Sequence, residues 1–193
     1  MINNNAISIF SSTITEQKQK QQEASIWDDS VFEDVDSLKN DYSGKAGELF
    51  VSRICKHFGI DYNYNEDEVG QDDGTYDIVI KGKKIEVKTA RVGNNDINWQ
   101  HESLRDYGSD FFMFIDLDPE GFYLSIFPST FDFSQRHPVF GRKPHQRKGS
   151  EGIYKFDFGK NSQQKGIKAG LTIRVDANTN DSIIKQFISN NVK

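Results

Sequence analysis

The sequence predicts an α/β domain built on a mixed β-sheet flanked by helices. Three features carry that expectation. Apolar residues fall at helical spacing over 43–58, two pairs of apolar runs are closed by polar turns over 75–90 and 110–128, and a second helical pattern lies near the C-terminus. A chain of 193 residues, 35% hydrophobic and 12% aromatic, is long enough for one domain with a real core and an appended arm.

The elements follow in order. Residues 1–36 are polar and asparagine-rich, pass through a Gln/Lys/Glu stretch at 16–23, and end in an acidic segment containing Trp27 and Phe32. They are expected to form an N-terminal arm, partly helical or flexible. Over 43–58, Ser43 is a candidate N-cap, Leu49, Phe50, Ile54 and Phe58 share a helical stripe, and Gly59 is the stop. A short strand is expected over 60–64 and an acidic loop over 66–74. Residues 75–90 read as a β-hairpin around the polar turn Lys81-Gly82-Lys83-Lys84. A short helix is expected over 99–106, holding Trp99 and His101. Two apolar strands, 110–117 and 122–128, flank the turn Asp118-Pro119-Glu120-Gly121. The basic stretch 136–149 contains Pro138, Gly141, Pro144 and Gly149 and reads as a loop. Strands over 152–158 and 171–175 and a closing helix over 181–188, capped near Asn180 or Asp181, complete the domain.

Composition excludes several classes. Cys55 is the only cysteine, so an intrachain disulfide and a cysteine zinc site are both out, and its place in a helix marks it as a buried thiol. No run of about 18 apolar residues exists, and the start Met-Ile-Asn-Asn-Asn lacks a secretory pattern; a cytoplasmic location is expected. Gly-x-Ser-x-Gly, Gly-x-x-x-x-Gly-Lys-Ser/Thr and His-Glu-x-x-His are all missing from the sequence. The net charge is −5, yet residues 134–193 carry 12 basic against 4 acidic side chains. The acidic excess therefore falls around the hairpin and the cationic surplus in the C-terminal third, where it can meet phosphates.

The chemistry concentrates in the hairpin. Asp77 opens the run Ile78-Val79-Ile80, and Ile85-Glu86-Val87-Lys88 begins the return strand. Side chains alternate across a strand, so Glu86 and Lys88 share one face and Ile85 and Val87 the other. Two carboxylates and an ammonium at one edge suit a hard divalent cation and the activation of water against a phosphodiester. Blander roles compete: Asp77 as a turn cap, Lys88 as the ion-pair partner of Glu86, and Glu48 as compensation for a helix dipole. An unpaired carboxylate between Ile85 and Val87 would be costly, which favours a bound cation. A second acid-x-Lys pattern, Glu16-Gln17-Lys18, has neither an apolar strand nor an upstream acid.

Taken in order, Glu48 in Ser43-Gly-Lys-Ala-Gly-Glu48, then Asp77, then Glu86-Val-Lys-Thr-Ala-Arg91, the residues resemble the restriction-endonuclease-like, or PD-(D/E)xK, nuclease superfamily over roughly residues 42–128. Tyr76 stands where the family's name has proline. The resemblance implies a restriction-endonuclease-like core within a nuclease domain at 37–193. Its catalytic core is about 42–128, and a basic DNA-contacting extension is about 134–193. It implies a Mg2+-dependent endonuclease (with Mn2+ as a substitute) in which Asp77, Glu86 and the Val87 backbone carbonyl hold the ion. Lys88 orients the attacking water, Glu48 holds a water or completes the outer shell, and the products carry a 5′-phosphate and a 3′-hydroxyl. Gly44 and Gly47 would let the helix approach the sheet or DNA. Candidate DNA contacts are Arg91, Gln100 and His101 near the hairpin, and Arg136, Arg142, Lys143, Arg147 and Lys148 in the basic loop. The size fits a homodimeric type II restriction endonuclease acting on duplex DNA. A Holliday junction resolvase or repair nuclease shares the Gly-x-x-Gly-Glu start, and a catalytically silent DNA-binding module remains a third possibility.

Overall fold

The computed structural model describes residues 25–30, 32–38, 40–64, 76–93, 98–106 and 108–193. The expected acidic loop at 66–74 and residues 1–24 of the arm lie outside them. The described chain is an α/β assembly whose centre is a mixed six-stranded sheet flanked by helices.

Helix α1 (Asn40–Phe58) begins three residues before the expected start, so Ser43 lies inside it rather than capping it. Its end is as expected: Gly59 takes φ +64°, and the Ile60 N–H closes onto the Cys55 carbonyl at 2.9 Å. Strand β1 (Tyr62–Asn63) leads to β2 (Ile78–Ile80), which turns into β3 (Lys83–Arg91). The turn is only Lys81-Gly82, both at positive φ (52° and 76°), a two-residue hairpin loop whose twist matches the strands. Lys83 and Lys84 therefore belong to β3, not to a four-residue turn.

Residues Asn98–Leu104 form strand β4, where a short helix is expected from the sequence. Trp99 and His101 are buried while Gln100 and Glu102 face out, a period of two. A register shift at Ser103 (φ 59°) then turns Leu104 inward and breaks the alternation that would have given the strand away.

Strands β5 (Phe111–Asp118) and β6 (Gly121–Pro128) form the second hairpin. After them come β7 (His145–Gln146), β8 (Tyr154–Gly159), helix α2 (Lys160–Lys168), β9 (Thr172–Asp176) and helix α3 (Asp181–Asn191). The Asn180 side chain caps α3 by accepting from the Ser182 N–H at 2.8 Å. The basic stretch 136–149 is a loop except for β7.

The large sheet has the order β1-β2-β3-β5-β6-β9, and only the β3–β5 pair is parallel. A smaller sheet, β4-β8-β7, comes from the crossover between β3 and β5 and from the C-terminal part. The large sheet is covered on both faces. On one, Ile85, Val87, Met113, Ile115, Leu124 and Ile126 pack against Val51 and Cys55 of α1 and Ile184, Phe187 and Ile188 of α3. On the other, Phe112, Phe114 and Phe127 meet Leu104 of β4, Phe156 and Phe158 of β8 and Phe140. Burial pushes the Cys55 thiol up to about 11, so it is an inert core group. The arm's described end closes a third cluster, with Trp27 and Val35 against Ala90, Val92 and Trp99. A 3-10 turn, Glu33–Ser37, belongs to it.

Helix α2 has no counterpart among the expected elements. Its buried positions are Ser162, Gln163 and Gly166, so it has no apolar stripe to reveal it.

Candidate active site

β2 is three residues long and β3 nine, so β3 outruns its neighbour. Among the described residues, β3 has no paired strand on the β2 side beyond Ile85. Asp77 stands where that ladder stops. Its backbone N–H donates to the Ile85 carbonyl (3.0 Å), and its Oδ2 accepts from the Val87 N–H (2.7 Å). A strand residue's N–H and C=O point the same way, so the Val87 carbonyl faces this open edge beside Asp77.

Continuing the register places Glu86 across from Asp77. Glu86 is 3% exposed and neighbours Phe112 on β5. Lys88 Nζ lies 2.5 Å from Glu86 Oε1 and supplies its counter-charge. The blander role for Lys88, pairing with Glu86, is thus present in the structure; since Lys88 also lines the cleft, it does not exclude the other.

Glu48 reaches the same place from the opposite face of the sheet. It is the ninth residue of α1, too far from the helix N-terminus for dipole compensation to explain it. Gly47 makes the approach possible: a Cβ there would lie 1.8 Å from Thr89 Oγ1, so α1 rests directly on β3. At Gly44 a Cβ would meet nothing within 4 Å, so packing against the sheet does not require glycine there.

These groups border a cleft of about 800 Å³ between the N-terminal half of α1, the free edge of β3 and strand β4. Its walls include Lys45, Glu48, Asp77, Val87, Lys88, Arg91, Gln100 and Glu102. Glu86 sits behind that surface, beneath Lys88.

The electrostatics are those of crowded acids. Burial raises the Glu86 carboxyl to about 7, despite the opposing pull of Lys88, and the charges of Asp77 and Glu48 add to the rise. Burial also raises Asp77, against the Val87 hydrogen bond and Lys88, and raises Glu48, with repulsion from Asp77 next. The lysines present do not offset the burial of these carboxyls, and carboxylate oxygens suit a hard divalent cation. Among the described residues no three His, Cys, Asp or Glu side chains are gathered as a metal cluster. Two side chains, Asp77 and Glu86, fit as donors together with the Val87 carbonyl, and Glu48 stands across the cleft from them.

The remaining expected contacts divide. Arg91 lines the cleft and donates to the Val35 carbonyl of the 3-10 turn. Gln100 lines it too, accepting from Lys155 Nζ of β8 at 2.7 Å. His101 does not serve as expected. Its side chain has no exposure, stacks on Phe114 (3.8 Å between centroids), and lies 2.6 Å from Asp116 Oδ1. The residue borders the cleft, but its enclosed ring offers no surface to a phosphate; it ties β4 to β5, and Asp116 in turn accepts from the Gln163 amide of α2. Arg136, Arg142, Lys143, Arg147 and Lys148 are all exposed, with Arg136 bonded to the Gly141 carbonyl and Arg142 to the Asp157 carbonyl. His137, interleaved with them, is buried, and burial lowers it to about 4.

Lys45 is one of the charged cleft residues that the sequence does not single out. Lys45 Nζ lies 2.8 Å from the Tyr64 hydroxyl and 3.5 Å from Glu48 Oε2. Its spacing of three from Glu48 was visible; its bond to Tyr64, nineteen residues away, was not.

No family model, no curated protein and no solved structure matches this chain. Among the described residues no helix is long and apolar enough to cross a membrane.

Proposed function

We propose that this protein is a divalent-cation-dependent DNA endonuclease with a restriction-endonuclease-like core. One observation carries it: Asp77, Glu86 and Lys88 meet at the free edge of β3, with Glu48 facing them from α1 across an open cleft. Acids that crowd together at the cost of raised protonation are expensive for a purely structural purpose.

In this function Asp77, Glu86 and the Val87 carbonyl hold Mg2+. The bound ion supplies Lewis acidity toward the scissile phosphate and the attacking water. Lys88, at the cleft surface, donates to that water and to a non-bridging phosphate oxygen, so charge building there meets a fixed ammonium. Glu48, its carboxyl raised by burial, accepts a hydrogen bond from the water on the helix side. The Asp77–Val87 bond fixes the carboxylate's angle before substrate arrives.

Substrate class is supported by the small sheet. β4 lines the cleft, β8 pairs with β4, and β7 pairs with β8, flanked by Lys143, Arg147 and Lys148. At about 4.8 Å between strands, that row carries cations roughly 10 Å outward from the cleft. Lys155 on β8 lies between, a path suited to a duplex backbone. A homodimeric type II restriction enzyme acting on double-stranded DNA is the form proposed.

The test is incubation of the purified protein with a mixed-sequence plasmid, a four-way junction and single-stranded DNA, each with Mg2+ or EDTA. Discrete plasmid fragments support restriction, and junction-only cutting replaces it with a resolvase. Mg2+-independent cutting, or none on any substrate, removes the proposal.

A further inference from the structure

Lys45 stands apart from an ordinary helix ion pair. At a spacing of three along α1 it is placed to pair with Glu48, yet its ammonium is nearer the Tyr64 hydroxyl, 2.8 Å against 3.5 Å, and lies 5.2 Å from the centre of the Tyr64 ring. Tyr64 directly follows β1, which lies on the far side of the hairpin from β5, so the contact draws the lysine toward that edge of the sheet.

The charge balance gives that position a meaning. A hydroxyl and a ring face orient an ammonium without neutralising it. Among the described residues, Glu48 stands 3.5 Å from the ammonium and Asp77 also acts on it through charge, so Lys45 faces the acids of the cleft. The Lys45 ammonium thus adds positive charge to the α1 wall of a cleft that Lys88 and Arg91 line from β3.

We propose that Lys45, oriented by Tyr64, binds a backbone phosphate adjacent to the one being cut and so sets the position of the strand in the cleft. This role rests on the endonuclease function proposed above. Lys45 is a positioning residue: its ammonium touches a non-reacting phosphate, while Lys88 serves the reacting one. Tyr64 restricts the lysine's rotamers, lowering the entropy lost when the phosphate arrives. Because a phosphate contact releases counterions, the lysine's contribution must also weaken as salt rises.

The test is equilibrium binding of a short fluorescent duplex over a salt series in EDTA, by the full chain and by Lys45→Ala, Lys45→Arg and Tyr64→Phe, with cleavage kinetics in Mg2+ alongside. Lys45 is partly exposed on a helix surface, so circular dichroism should show all variants folded. The expected result for Lys45→Ala is a slope of log affinity against log salt smaller by about 0.9, one phosphate contact. KM should rise roughly tenfold with kcat within about twofold, a loss of binding alone. Lys45→Arg should restore the slope, and Tyr64→Phe should raise KM while leaving the slope alone. An unchanged slope and KM in Lys45→Ala overturn the inference while leaving the nuclease function standing. A Lys45-dependent slope in a protein that cuts no DNA keeps the phosphate site and removes the nuclease. A wild-type chain that binds no DNA removes both.

Discussion

The Asp77 carboxylate accepts a hydrogen bond from the Val87 N–H at 2.7 Å, continuing by a side chain a ladder that the backbone of β2 has stopped making. The bond fixes one acid at the open edge and turns the Val87 carbonyl toward it, so two oxygen donors share one side of β3. The expected outcome for Asp77→Asn is a folded protein with cleavage reduced by at least about a hundredfold and DNA binding retained. Gel cleavage and binding assays on one preparation check this, and near-full activity would count against the assignment of Asp77.

Glu86 gives a pH signature. Burial raises its carboxyl from an ordinary 4.5 to about 7, so between those values the folded state holds a proton that the unfolded state has released. The stability this contributes is complete below about 4.5 and is lost as pH rises through about 7. Melting in EDTA should therefore weaken between pH 5 and pH 8, by on the order of 3 kcal/mol at most. Glu86→Gln should flatten that slope, and Mg2+ should raise Tm more at pH 8 than at pH 5. Cleavage should climb over the same range as the carboxylate ionises.

The α1 contact is open to a steric test. Gly47→Ala puts a methyl 1.8 Å from Thr89 Oγ1 and should cost about 1–3 kcal/mol. Thr89→Ala in the same chain should recover part of it. Gly44→Ala meets nothing and should be neutral or slightly stabilising, by up to about 1 kcal/mol. Thermal melts of the three variants and the wild type decide.

Removing Asp116 should strand the His101 ring in a closed aromatic setting and take the acceptor from the Gln163 Nε2 donor. A cost of about 1–3 kcal/mol is expected for Asp116→Ala, the range for a buried polar group left unsatisfied. The His101→Ala variant should lose stability without the selective loss of catalysis expected for Asp77→Asn, because the ring holds β4 to β5 and does not reach substrate.

What could be read from the sequence follows from where each interaction lies along it. Asp77, Glu86 and Lys88 were legible because a tight hairpin brings together residues only nine and two positions apart. The β5–β6 hairpin and the α3 cap were equally local. His101 misled because its partner, Asp116, lies on a strand that reaches it only through the crossover, and β4 itself was disguised by the bulge at Ser103. Helix α2 was invisible because it buries Ser162, Gln163 and Gly166, the last against Thr172 and Phe140. The Lys45–Tyr64 contact needed the sheet order before it could be seen.

The most direct measurement is calorimetric titration of Mn2+ into the DNA-free protein, compared with Asp77→Asn and Glu86→Gln. One ion per chain is expected, with affinity reduced at least about tenfold in each variant. Equal binding by all three proteins, or no binding by the wild type, would contradict a cation held jointly by these two carboxylates.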